Sequence, residues 1–190
     1  HVHDGSDAGL AALVAAARPD TIFHFAGRYR REHGPGDVGA LIGDNVLFAI
    51  ARVQAELGET AETERTLARL IAEYPYPSGG FWDDAHWMLA DLHEARGDVR
   101  AALADLRRML AVRESSSFSG SYELPRFDDA ALRIARLYEQ RLHDPSSAAD
   151  AYHAVWTGFV DSLLRDAALA AEARVRAQMG QTGRACRLWG

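Results

Sequence analysis

Lysine is missing altogether: all 21 basic side chains among the 190 residues are arginine. That absence excludes a Schiff-base lysine, a phosphate-loop lysine and any Tyr-x-x-x-Lys catalytic pair. A single cysteine, Cys186, excludes an internal disulfide and any multi-cysteine metal site, and its expected state is a small buried hydrophobe. No apolar run can span a bilayer, because the longest, Leu10 to Ala17, falls far short of the roughly 20 residues required. Positive charge is in the minority, with 27 acidic residues and a net charge of −6, which argues against a generic nucleic-acid or anionic-membrane binder. The strict apolar–polar alternation of a half-buried strand is also lacking. The chain opens on His1 rather than methionine, which leaves an upstream signal peptide or lipid anchor, and so the compartment, open.

What is present is helical periodicity. At 48% hydrophobic and 25% charged, the chain has enough apolar material to fold. Val46, Leu47, Ile50, Val53 and Leu57 follow the i, i+3, i+4, i+7 rule for a buried face, as do Leu67, Leu70, Ile71 and Tyr74. Further stripes run through Ala85, Leu89 and Leu92; Leu103, Leu106 and Leu110; Ile134, Leu137 and Tyr138; and Tyr152, Val155 and Trp156. The stretches 166–178 and 182 onward supply two more. Breakers separate them at Gly58, 75–80, Gly97, 115–121, Pro125, Pro145 and Gly180. Asp44, Asp83 or Asp84, Asp128 or Asp129, and Asp166 each open a periodic run, where a carboxylate is expected to cap the helix rather than serve an acid dyad.

The runs repeat. With Gly58, Gly97 and Gly180 as turns, and Leu142 in the third unit's corresponding place, Ala51, Ala90, Ala135 and Ala173 fall seven residues before. Thr63, Ala102 and Ala185 fall five after and Leu67, Leu106 and Trp189 nine after, with Ala148 and Tyr152 one step late in the third unit. Small residues flanking a glycine turn let two antiparallel helices cross closely, and the large ones fill the groove against the next pair. This pattern resembles the tetratricopeptide repeat (TPR) family, and the irregular spacing of its units is similar to bacterial cell-envelope TPR proteins. The place where the family often carries tyrosine holds Gln54, His93 and Arg176, while Tyr138 matches. The resemblance implies an all-α, TPR-like α-solenoid of antiparallel helix pairs. Residues 1–43 form an N-terminal helical segment, and 44–190 carry repeats at about 44–77, 83–116, 128–161 and 166–190.

Residues 1–43 support two readings. One continues the helical array, with 8–18 and 21–33 as partner helices and Phe23, Phe25, Ala26 and Tyr29 packing inward. In the other, 1–50 resemble the middle of an extended short-chain dehydrogenase/epimerase, which implies a strand at 21–25 beside a nicotinamide cofactor. The Gly-rich dinucleotide fingerprint and the catalytic lysine are both missing from this chain, so enzymatic activity is not expected.

No nucleophile triad, paired-carboxylate spacing or metal-ligand cluster stands out, so no catalytic residue, metal or cofactor is expected. His86 and His93 share a helical face but lie about 10 Å apart along it, too far to chelate one metal. His1 and His3 are read as a trimmed end. The resemblance implies a scaffold for a protein or peptide partner, with no nucleic acid bound and no transmembrane segment. A fixed subunit of a larger, envelope-associated assembly is the alternative, and a degenerate epimerase fragment a remote one. In TPR arrays the first helix of each pair lines the groove. The expected groove residues here are Phe48, Arg52, Trp87, Asp91, Leu132, Arg136, Glu139 and Arg174.

Overall fold

The computed structural model describes residues 38–76, 79–112 and 126–189. The expectations for 1–37, including the strand at 21–25, and for the serine-rich loop at 115–121 lie outside them. Among the described residues there are eight helices and no strand. They are α1 (Val38–Glu56), α2 (Thr60–Glu73), α3 (Trp82–Ala95), α4 (Val99–Ala111), α5 (Phe127–Gln140), α6 (Pro145–Gly158), α7 (Arg165–Gln178) and α8 (Thr182–Trp189). The chain divides into two compact units, the first ending at Ala85 and the second beginning at His86, inside α3.

From α2 on, no helix exceeds 14 residues, a length marginal for an isolated helix in water. Each therefore depends on burying one face against a neighbour. The repeat register identifies that face. Ala51, Ala90, Ala135 and Ala173 before the turns, and Thr63, Ala102 and Ala148 after them, are all fully buried. Leu67 and Leu106 are likewise closed to solvent, and Tyr152 nearly so. Burying each such leucine contributes about 1.5–3 kcal/mol, and the alanines bring the paired helices close enough to make that burial complete. In the second unit Ala131, Leu132, Ala135, Ala148, Ala149, Tyr152, Val155, Ala168 and Val175 form one continuous core through α5, α6 and α7.

The three glycine turns are identical in kind. Gly58, Gly97 and Gly180 have φ of 76°, 80° and 76°. In each, the glycine N–H bonds three residues back and the next N–H five back, as in Glu59 to Gln54, Asp98 to His93 and Gln181 to Arg176. This is the Schellman closure of a helix, which needs a residue in the left-handed region. The third turn departs from expectation. The left-handed residue there is His143, at φ 51°, not Leu142, and its closing bond runs from the Asp144 N–H to the Tyr138 carbonyl, one residue longer. The extra residue thus precedes the turn, and Ala148 and Tyr152 fall into register without an offset. His143 is exposed and carries a backbone strain of about 1–2 kcal/mol that glycine would not. Part of that is offset by the greater freedom of glycine in the unfolded chain. His143→Gly should therefore raise stability by about 0.5 kcal/mol in chemical denaturation. Gly97→Ala meets no atom within 4 Å and should still lower it by about 1 kcal/mol, through backbone strain alone.

The acidic residues at the helix starts do not act as caps. α1 begins at Val38, so Asp44 lies well inside it. Asp83, Asp84, Asp128, Asp129 and Asp166 sit within the first turns of α3, α5 and α7, where their charge suits the helix dipole. Side-chain caps occur instead on second helices, where Asp98 accepts from the Ala101 N–H and Asp144 from the Ser147 N–H, both at 3.0 Å. Counted from the turns, Asp44, Asp83, Asp128 and Asp166 occupy one register position. Two of them hold the loop that follows their own pair: Asp44 Oδ2 accepts from the Gly80 N–H at 2.9 Å, and Asp128 Oδ2 from the Ser162 hydroxyl at 2.6 Å.

Candidate functional site

The site begins with what replaces the tyrosine of the repeat pattern. Gln54 accepts from the Thr66 hydroxyl at 2.8 Å, and His93 Nδ1 lies 2.6 Å from buried Asp105. Both pairs are 12 residues apart and tie a first helix to its own second helix. Arg108 adds an ion pair to Asp105 at 2.7 Å. Tyr138 instead reaches the preceding second helix, accepting from Arg107 on α4. These positions serve packing within and between pairs and are not available to a ligand.

The face formed by the first helices of the second unit is polar and cross-braced. Trp87 on α3 is half-buried, with the guanidinium carbons of Arg133 and Arg126 at 4.7 and 5.4 Å from its ring centre. Arg133, on α5, also pairs with Asp91 at 2.6 Å and Glu94 at 2.9 Å, and Arg141 reaches Glu94 at 3.2 Å. A shallow depression lies there, lined by Asp91, Glu94, Ala95, Arg133 and Arg141. One helix further, Arg174 on α7 forms a two-pronged ion pair with Glu139 on α5, and the Tyr152 hydroxyl donates to the same carboxylate at 2.8 Å. The Arg174 hydrogen bond holds the Glu139 carboxyl below its ordinary range, burial and the Tyr152 bond being smaller, opposed influences. Burial, together with that carboxylate, pushes the Tyr152 phenol up to about 12, so Tyr152 stays a donor at any physiological pH.

Of the eight expected groove residues, five lie on this face: Trp87, Asp91, Arg136, Glu139 and Arg174. Arg136 is exposed and has no ion-pair partner among the described residues. Leu132 does not belong to the face, since it is buried in the core where α5 meets α6. Phe48 and Arg52 belong to the first unit. Phe48 stacks on Phe81 with ring centres 4.6 Å apart, and Arg52 is exposed. Sequence reasoning missed Arg133, the residue that joins Trp87, Asp91 and Glu94. Its basic charge faces two acids one pair earlier, a complementarity masked by the insertion at 113–125 that shifts the repeat spacing.

Other titratable groups serve structure. Glu172 on α7 is buried and accepts from Trp156 Nε1 at 2.6 Å and from Arg176 Nε, with His153 Nδ1 at 3.0 Å. Burial pushes its carboxyl up, but the bonds from Trp156, Arg176 and His153 outweigh that and hold it below its ordinary range. Cys186 is exposed, against the expectation of burial, because the α8 residue that faces inward is its neighbour Ala185. Among the described residues no three His, Cys, Asp or Glu side chains come together as metal ligands.

The sequence pattern of the tetratricopeptide repeat family matches residues 45–75, which hold most of α1, the Gly58 turn and α2. No curated protein matches the chain in sequence. Two crystal structures of nearly identical TPR-like repeats, from a kinesin light chain description in Podosopora anserina, share the fold. Their TM-scores are 0.52 and 0.51, with 20% and 19% identity, over 96% of this chain and 80% of theirs.

Proposed function

We propose that this divergent tetratricopeptide-repeat protein is a scaffold without catalytic activity, binding a protein or peptide on the first-helix face of its second unit. The observation that carries the reading is Trp87, a half-open aromatic ring fixed beneath two guanidiniums, on the same face as the exposed and unpaired Arg136. Tryptophan and arginine are the commonest anchors of binding hot spots. A ring already locked by Arg133, itself held by Asp91 and Glu94, loses little side-chain freedom when a partner arrives. The neighbouring depression is shallow and charged, which suits surface contact better than an enclosed small molecule. Its lining carries both signs, so it favours an extended segment or helix that also carries both, and disfavours a polyanion.

The reading is tested by affinity capture from the native source with the wild-type chain, with Trp87→Ala/Arg136→Glu, and with Arg100→Glu as a control on exposed α4 surface. The double change should lower recovery of the captured partner at least 100-fold, since two hot-spot losses of about 2 kcal/mol each exceed that factor. Arg100→Glu should not change it, and all three proteins should melt within a few degrees of one another. Undiminished capture by the double variant would move the binding surface elsewhere.

A further inference from the structure

The first unit carries an apolar face that its own described helices do not cover. Along α1, Ile42, Val46, Ile50, Val53 and Leu57 recur every three or four residues, and they are 40%, 47%, 42%, 54% and 68% exposed. Such a stripe on one helix face is the pattern of a buried seam. Its neighbours in register show what it is for. Counted from the turns, and allowing for the longer third turn, Val46, Ile50 and Val53 correspond to Ala130, Ile134 and Leu137 on α5. On α7 they correspond to Ala168, Glu172 and Val175. All six are buried, none more than 7% exposed. In both cases the helix packs on the second helix of the preceding pair: α5 on α4, and α7 on α6. On α7 this is explicit, because Glu172 bonds Trp156 of α6 and Val175 shares a core with Tyr152 and Val155. Position for position, the α1 face is built to receive a preceding second helix.

We propose that its occupant is this chain's own segment 21–33. Residues 1–37 precede α1 directly, and a helix pair of this kind needs about 34. Within the segment Ile22, Phe25, Ala26 and Tyr29 stand at i, i+3, i+4 and i+7, an apolar stripe matched to the one on α1. Gly34-Pro35-Gly36 then provides a break where one helix would end and α1 begin. The segment is tethered within a few residues of the face, so its effective concentration there far exceeds that of a second copy or a separate partner.

The test uses the full chain and one thiol. Wild-type Cys186 is exposed and sets the reaction rate of an open cysteine with a disulfide reagent. In Cys186→Ser/Val53→Cys, the thiol at position 53 should react at least ten times more slowly, at a rate independent of protein concentration. Adding Phe25→Asp and Tyr29→Asp to the same chain should restore the fast rate while the helical spectrum of the remainder persists. Three outcomes would overturn the proposal. A fast thiol in the parent variant means that nothing covers the face. Protection that appears only at high protein concentration means that a second copy covers it. Protection that survives the two aspartates means that the occupant is another part of the chain.

Discussion

Glu172→Ala will cost roughly 3 kcal/mol or more, a larger loss than any other single substitution considered for this protein. Removing one partner of a buried ion pair strands the other charge, and losses of about 3–5 kcal/mol are typical. Here the stranded group is Arg176, itself buried, which would keep Asp150 at 3.3 Å and Gln181 at 3.2 Å as its remaining partners. Those partners place the loss at the low end of the range. The Trp156 indole N–H would lose its acceptor as well. Because repeat units are stabilised by their neighbours, the damage should be concentrated at α7 and α8. Amide hydrogen exchange should show these two helices opening first, and denaturant unfolding should lose its single transition. Glu172→Gln, which keeps an acceptor and the shape, should recover part of the difference. The pH dependence has a definite sign. The Glu172 carboxyl lies below its ordinary range in the folded chain, so its contribution is complete at neutral pH. It is lost as pH falls through the folded value, below the usual carboxylate range. Wild type should therefore lose α7 and α8 on acidification, whereas Glu172→Ala should start from the weakened state and change less.

Asp44→Ala is expected to cost about 1.5–3 kcal/mol, the usual range for hydrogen bonds to a charged acceptor when a buried donor is left unmet. Asp44 is fully buried and accepts from the Gly80 N–H at 2.9 Å and from the Asn45 N–H at 2.8 Å. The Gly80 bond joins α1 to the residues just before α3, across 36 positions of sequence. The same region is closely packed: a side chain at Gly43 would run into the Tyr74 hydroxyl, and Phe81 stacks on Phe48. Loss of the carboxylate should free the 79–81 stretch first. Asp128→Ala, whose hydrogen bond to Ser162 lies in a less buried place, should cost less. Thermal melts of the two variants should rank them in that order.

The repeat itself was legible because two features survive divergence: a small residue where helices cross, and a glycine where the first helix closes. Ala51, Ala90, Ala135 and Ala173 mark every pair, and all four are fully buried. His143 disguised the third turn, since a histidine in the left-handed region leaves no glycine to count from. The role of Asp44 was hidden for another reason. An aspartate at the head of an apolar run reads as a cap, and only the packed loop at Gly80 shows that it binds at a distance. Leu132 was misplaced because it shares its register position with Trp87, yet the core of α5 and α6 takes the smaller residue inward. Arg133 is adjacent in sequence and turns towards α3, where it meets two acids and an aromatic ring at once. Periodicity assigns a residue to a face. It does not reveal which neighbour across the gap will pair with it.

Site-specific photo-crosslinking tests the scaffold reading most directly. A photoreactive phenylalanine analogue placed at Arg136, on the first-helix face of the second unit, should form one discrete adduct with a protein partner in the native source. The same analogue at Arg100, on exposed α4 surface, should form none above background. Adducts of equal yield at both positions, or at Arg100 alone, would contradict the account.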